Sequence, residues 1–112
     1  MKKLEIVVKP EKLEELKVIL DECGANGIMI TNIMGYGNQK GYKQIYRGTE
    51  YSVNLLPKMK VETVVLAETA EKIIDKVTEQ IKTGNYGDGK IFIYDVDDAV
   101  RIRTGERGVE AL

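Results

Sequence analysis

The sequence predicts an α+β domain of the ferredoxin-like kind: a βαββαβ sandwich with a long mid-chain loop and a short extra strand at its C-terminus. Three observations carry that reading. The apolar period switches from two to 3.6 and back in each half of the chain, which is the pattern of a split βαβ unit. The two helical segments each carry a single apolar stripe, as helices packed on one face of a sheet do. Between the halves, GYGNQKGYKQIYRGTEY, Gly35 to Tyr51, follows neither period. At 112 residues the whole chain, 1–112, reads as one domain.

Leu4, Ile6 and Val8 keep period two, and Pro10 stops that first strand. From Glu11 the apolar set becomes Leu13, Leu16, Ile19, Leu20 and Cys23, one stripe of a helix, which Gly24 and Gly27 end. IMITNIM, Ile28 to Met34, is the second strand. A third covers Val53 to Leu66, with Pro57 marking a bend or bulge. ETAEKIIDKVTEQIK is the second helix, with Ile73, Ile74, Val77 and Ile81 facing inward. KIFIYDV and AVRIRT close the chain as strands. Because IVV, TVVL and KIFIYDV are apolar on both sides of the pleat, the face away from the helices needs a cover, and a second copy of the chain is the economical one.

Composition excludes whole classes of function. Lys plus Arg number 17 against 18 Asp plus Glu, so no global field recruits nucleic acid or an anionic membrane, and any anion site is local. Histidine is absent, which removes imidazole bases, Ser–His pairs and His metal ligands. No paired carboxylates or nucleophile motif stand in for it, so the chain does not read as an enzyme. The single Cys23 reads as a small core hydrophobe. No apolar run approaches the roughly 18 residues of a membrane span, and a cytoplasmic protein with no membrane insertion is expected.

Two short segments carry anion chemistry. TGNYGDGK, Thr83 to Lys90, formally matches GxxxxGK of a P-loop. A P-loop, however, runs from strand to helix and needs Ser or Thr after the lysine, whereas here a helix precedes, a strand follows and Ile91 holds that position. What survives is a glycine-rich turn whose backbone N–H groups can approach an anion, with one ammonium at its end. In RIRTGE, Arg101 and Arg103 are two apart on the expected closing strand, so both would point to one face about 7 Å apart, a span that suits adjacent phosphates. With Lys90 starting the strand before, three cations would converge on one rim of the sheet.

Thr83, Gly87, Asp88, Gly89, Lys90, Ile91, Phe92, Ile93 and Val96 resemble the C-terminal signature of the PII nitrogen-regulatory signal-transduction proteins, and YRGTEY resembles their loop signature. The resemblance covers essentially the whole chain. Thr49 stands where the family usually has Ala or Ser, and Asn38 where many members have an Arg that helps hold nucleotide phosphate. The resemblance implies a homotrimer binding ATP or ADP competitively in clefts between subunits, with Mg²⁺ accompanying ATP and 2-oxoglutarate as effector. The implied nucleotide-binding residues are Met29, Gly37, Asn38, Val64, Gly87, Asp88, Gly89, Lys90, Arg101, Ile102 and Arg103. Met29 and Val64 would line the adenine and ribose pocket, and Gly87 to Lys90 would form the phosphate turn. For 2-oxoglutarate they are Gln39, Lys40, Gly41 and Lys58, with Gln39 also the metal ligand.

The opening stretch would then be the T-loop, about 37–55, which reports ligand state to a target: a transporter, a nitrogen-assimilation enzyme or a transcription regulator. Tyr42, Tyr46 and Arg47 read as partner contacts, since tyrosine supplies large contact area with few rotatable bonds. Tyr51 matches a position that some members nucleotidylate, and otherwise reads as a partner contact. An adenylate-energy sensor that ignores 2-oxoglutarate is the alternative that Asn38 raises. A ferredoxin-like RNA-binding domain is disfavoured by the balanced charge and by the lack of an exposed aromatic pair between basic residues on the sheet.

Overall fold

The computed structural model describes residues 1–36, 43–46, 49–52 and 55–112. The chain runs β1 (Lys2–Val8), a 3₁₀ turn (Pro10–Lys12), α1 (Leu13–Glu22), β2 (Met29–Tyr36), β3 (Lys43–Tyr46), β4 (Thr49–Ser52), β5 (Leu55–Val65), α2 (Ala67–Gln80), β6 (Lys90–Asp95) and a final 3₁₀ turn (Gly108–Ala111). Strands β2, β5, β1 and β6 form one antiparallel sheet in that order, and β3 pairs with β4 separately. This is the expected α+β, ferredoxin-like arrangement.

The core lies between the sheet and the two helices. Leu4, Ile6 and Val8 of β1 and Val61 and Val65 of β5 alternate inward and meet Leu16, Ile19 and Leu20 of α1 and Ala70, Ile73 and Val77 of α2, all buried. Pro10 opens the 3₁₀ turn, where a missing N–H leaves no bond unmade. Gly24, at φ +84°, ends α1 in the left-handed conformation, and Ala25 N–H reaches back to the Leu20 carbonyl at 3.0 Å. Thr63 is the polar exception on the core face. It is buried, and its hydroxyl donates to the Gly27 carbonyl at 2.7 Å.

Four details differ from the sequence reading. The β2–β5 register is unbroken from Met29↔Glu62 to Tyr36↔Leu55, so Pro57 makes no bulge. β1 pairing ends at Val8↔Met59, and Pro57 therefore sits where one edge of β5 is open and its missing donor is not needed. The mid-chain stretch contains a hairpin, Tyr46↔Thr49 to Lys43↔Ser52. The strand-prone side chains of KQIY and TEYS and the two-residue Arg47–Gly48 connection are its signal. The closing strand is reduced to a single bridge, Val100↔Arg107. There the Gly105 N–H donates to the Arg101 carbonyl at 2.7 Å, with Gly105 at φ +75°, and turns the chain back at once.

The fourth difference is the face away from the helices. Apolar residues line its margins, but its centre is a charged ladder: Lys3 lies 3.4 Å from Glu62, and Lys60 lies 3.7 Å from Glu5 and 3.9 Å from Glu62. The Tyr94 hydroxyl donates to Glu5 at 2.6 Å, which holds the Glu5 carboxyl below its usual range and pushes the phenol up. Phe92 and Tyr94 do form a half-exposed aromatic pair there. Its neighbours Lys3 and Lys60 are paired with Glu62 and Glu5, so the face offers no net positive charge for a nucleic-acid backbone, and the RNA reading is disfavoured by balanced charge rather than by missing aromatics. Among the described residues, no helix is long and apolar enough to cross a membrane.

Candidate functional site

The turn between α2 and β6 is built by its own aspartate. The Asp88 carboxylate accepts from the Thr83 N–H at 2.7 Å, the Gly84 N–H at 2.9 Å and the Thr83 hydroxyl, and the Asn85 N–H donates to that hydroxyl at 3.2 Å. These bonds, the Thr83 hydroxyl first, hold the Asp88 carboxyl below the usual carboxylate range. Gly84, Gly87 and Gly89 all have positive φ, from +84° to +108°. At Gly89 the requirement is absolute, because a Cβ there would lie 1.8 Å from the Val7 carbonyl oxygen. Among the described residues, the N–H groups of Gly87, Asp88 and Gly89 donate to no protein acceptor. The result is a run of free amides beside the exposed Lys90, a concavity suited to an anion. Since α2 enters the turn and β6 leaves it, the segment is not a P-loop.

Lys58 approaches this turn from β5. It is only 7% exposed, and its ammonium donates to the Gly87 carbonyl at 2.9 Å. Its stem passes Gly35, where an added Cβ would meet the lysine Cγ at 3.1 Å. Burial lowers the Lys58 pKa, the Lys9 charge lowers it further, and Glu11 and Asp88 pull the other way. Together these residues floor a cleft of about 700 Å³ lined also by Val7, Tyr36, Asn85, Tyr86 and Phe92. The sequence reading assigns none of those five, nor Gly35, to a binding site. Their membership follows from cross-strand register, which residue spacing along one chain does not display.

The other expected residues lie elsewhere. Met29 and Val64 line a second cleft of about 470 Å³ that the C-terminal turn closes with Val109, Ala111 and Leu112. Met29 is on edge strand β2 and Lys90 on the opposite edge strand β6, three strand spacings or about 14 Å apart. Arg101 and Arg103 follow β6 at the end away from Lys90, so the three cations do not converge within one chain. The two arginines are also unlike. Arg101 is tied to the Glu106 carboxylate at 2.9 Å and to the Leu112 carbonyl at 3.1 Å, whereas Arg103 is exposed beside the almost fully exposed Ile102. Asp98 accepts from Arg107 and from the Ala99 and Gly108 N–H groups, and so fastens this segment.

Gly37, Asn38, Gln39, Lys40, Gly41, Tyr42 and Arg47 lie outside the described residues, and Tyr46 and Tyr51 are placed by their backbone alone on β3 and β4. Among the described residues, no three acidic or cysteine side chains gather as a metal site.

Known proteins match the chain along nearly all of its length. A family model described as nitrogen regulatory protein P-II matches residues 1–106. The chain is 49% identical over 112 residues to the nitrogen regulatory protein P-II of Rhizobium meliloti, and 46% identical over 112 residues to that of Pasteurella multocida, with all of each chain covered. A solved structure of B. subtilis GlnK superposes with a TM-score of 0.81 at 38% identity, over 99% of this chain and 97% of that one.

Proposed function

Because the chain belongs to the nitrogen regulatory protein P-II family, and is thereby a signalling regulator rather than an enzyme, we propose that it binds ATP and ADP between neighbouring copies of itself in a cytoplasmic homotrimer. One observation supports this reading: the two groups of expected phosphate-binding residues lie at opposite ends of β6. The free amides of Gly87, Asp88 and Gly89, with Lys90, sit at one end of β6, while Arg101, Ile102 and Arg103 sit past the other and Met29 is on the far edge strand. A polyphosphate seated on the turn is beyond the reach of the same chain's arginines and meets those of a neighbour. Gln39 then completes a Mg²⁺ site with the ATP phosphates and 2-oxoglutarate, Lys40, Gly41 and Lys58 receive the acid, and Gly37 and Asn38 flank the nucleotide. Through Tyr42, Tyr46, Arg47 and Tyr51 the 37–55 loop contacts a target transporter, enzyme or transcription regulator of nitrogen metabolism.

Mixing two defective chains tests the shared site. Lys90→Ala and Arg103→Ala proteins, each impaired alone, are unfolded together and reassembled. If each site draws one half from each neighbour, about a quarter of the sites in random assemblies regain full ADP affinity by calorimetry. No recovery places both halves in one chain. Light scattering that found a stable monomer at micromolar concentration would remove the trimer.

A second reading has a specific observation behind it. Asn38 replaces a cation with a neutral amide beside the proposed Mg²⁺ site, which favours a sensor of ATP against ADP alone. Calorimetry with 2-oxoglutarate separates the two: binding only in the presence of Mg-ATP supports the shared-metal site, and no binding under any condition supports the adenylate sensor.

A further inference from the structure

Beyond β1's last pair, Val8↔Met59, strands β2 and β5 continue as a ribbon of two strands, Ile33↔Lys58 to Tyr36↔Leu55, that leads directly into the 37–54 segment. Lys58 is the innermost residue of that ribbon and is hydrogen-bonded to the phosphate turn. Its stem takes the one path where a ribbon residue has no side chain, over Gly35. A buried, desolvated ammonium is costly unless it is bonded, so the Gly87 carbonyl holds it firmly. The same bond fixes which way the Gly87 peptide faces: with the carbonyl turned to Lys58, the N–H groups that follow are left for the cleft.

We infer that Lys58 is a positioning residue that holds the phosphate turn in its anion-receiving shape and ties it mechanically to the ribbon at the root of the loop. Movement of the turn on nucleotide binding is thereby passed to Leu55–Lys58 without any bound acid or metal. Conversely, an acid that reaches the Lys58 ammonium, which has two further N–H donors, competes with the Gly87 carbonyl for it. The transmission half of the inference rests on the nucleotide reading above; the holding half does not.

The test uses Lys58→Met, which keeps a long unbranched stem and removes the ammonium with both its charge and its donors, and Lys58→Arg, which restores both. In the ligand-free wild type, a scalar coupling across the hydrogen bond between Lys58 Nζ and the Gly87 carbonyl carbon is expected by NMR. In Lys58→Met, amide exchange at Thr83 and Gly84 accelerates about tenfold with the melting temperature little changed, ADP binding weakens about tenfold, and the ADP-induced shifts of Ile33, Met34 and Leu55 disappear. Lys58→Arg recovers at least part of each. Unchanged exchange at the turn in Lys58→Met, or absence of the coupling in the wild type, overturns the holding role whether or not nucleotide binds. Ribbon shifts that persist in Lys58→Met overturn the transmission. A wild type that keeps the coupling but binds no adenine nucleotide overturns the functional reading and the transmission and leaves the holding role standing.

Discussion

Two turns flank β6, and both are fastened by an aspartate, yet they present different kinds of donor. Before the strand, Asp88 bonds the start of its turn, Thr83 and Gly84, and the later amides stay free. After it, Asp98 bonds the far side of its turn, Arg107 and Gly108, while the Arg101 and Gly105 N–H groups are spent on the Glu106 and Arg101 carbonyls. One turn therefore offers backbone dipoles and the other offers a guanidinium, Arg103. The contrast teaches that a clasp is not itself a binding group: what matters is which donors it leaves over.

The largest test strikes the backbone turn. Gly89→Ala forces a Cβ onto the Val7 carbonyl and is expected to weaken ADP binding by more than about 100-fold, with a loss of about 1–3 kcal/mol in stability from backbone strain. Calorimetry and thermal melting read both. An alanine variant with native affinity would show that the turn's close approach to β1 is dispensable.

Next come the two presented cations. Lys90→Ala and Arg103→Ala are each expected to weaken ATP binding by about 10- to 150-fold without unfolding, the range of charge-assisted hydrogen bonds. Equal losses would make the two turns equal partners; a loss confined to Lys90 would reduce the C-terminal turn to scaffolding.

The clasps differ in the same graded way. Asp88→Asn is expected to weaken ADP binding about tenfold, since the amide bonds Thr83 and Gly84 less strongly. Asp88 also sets a pH dependence. Its folded pKa lies below its unfolded value, so its contribution is fully present above about pH 4 and is lost as pH falls through the lower folded value. Urea melts between pH 5 and 2 should show wild type losing stability that Asp88→Asn never had. The smallest effect is expected from Glu106→Ala. That pair is partly exposed, so stability falls by less than about 1 kcal/mol. ATP affinity shifts by less than about threefold, as Arg101 still holds the Leu112 carbonyl. A larger gain in affinity would mean that Arg101, once freed, acts as Arg103 does.

How far the sequence could be read differs between these same regions. The four sheet strands and both helices were legible because Leu4, Ile6, Val8 and Leu16, Ile19, Leu20 repeat at the periods their burial requires. The glycine turn was legible because left-handed positions demand glycine. RIRT was misread as a strand: its alternation is genuine, but a Gly105 bond to the Arg101 carbonyl outcompetes a ladder with no partner strand. The uncovered sheet face was read as apolar on both sides because IVV and TVVL are contiguous, while the charges that neutralise each other there, Lys3 with Glu62 and Lys60 with Glu5, come from different strands. Lys58 was picked out, but its bond to Gly87 joins positions 29 residues apart and leaves no local trace.

The ribbon formed by Ile33–Tyr36 and Leu55–Lys58 is a lever. Four paired residues carry it about 13 Å past the end of β1, so a rotation of about 10° at its base displaces its far end by about 2 Å. A chain attached through a slack tether would average such a rotation away. Attached through two bonded strands, it inherits the angle, and a small tilt at the clefted end of the sheet becomes a change of aim in the segment beyond.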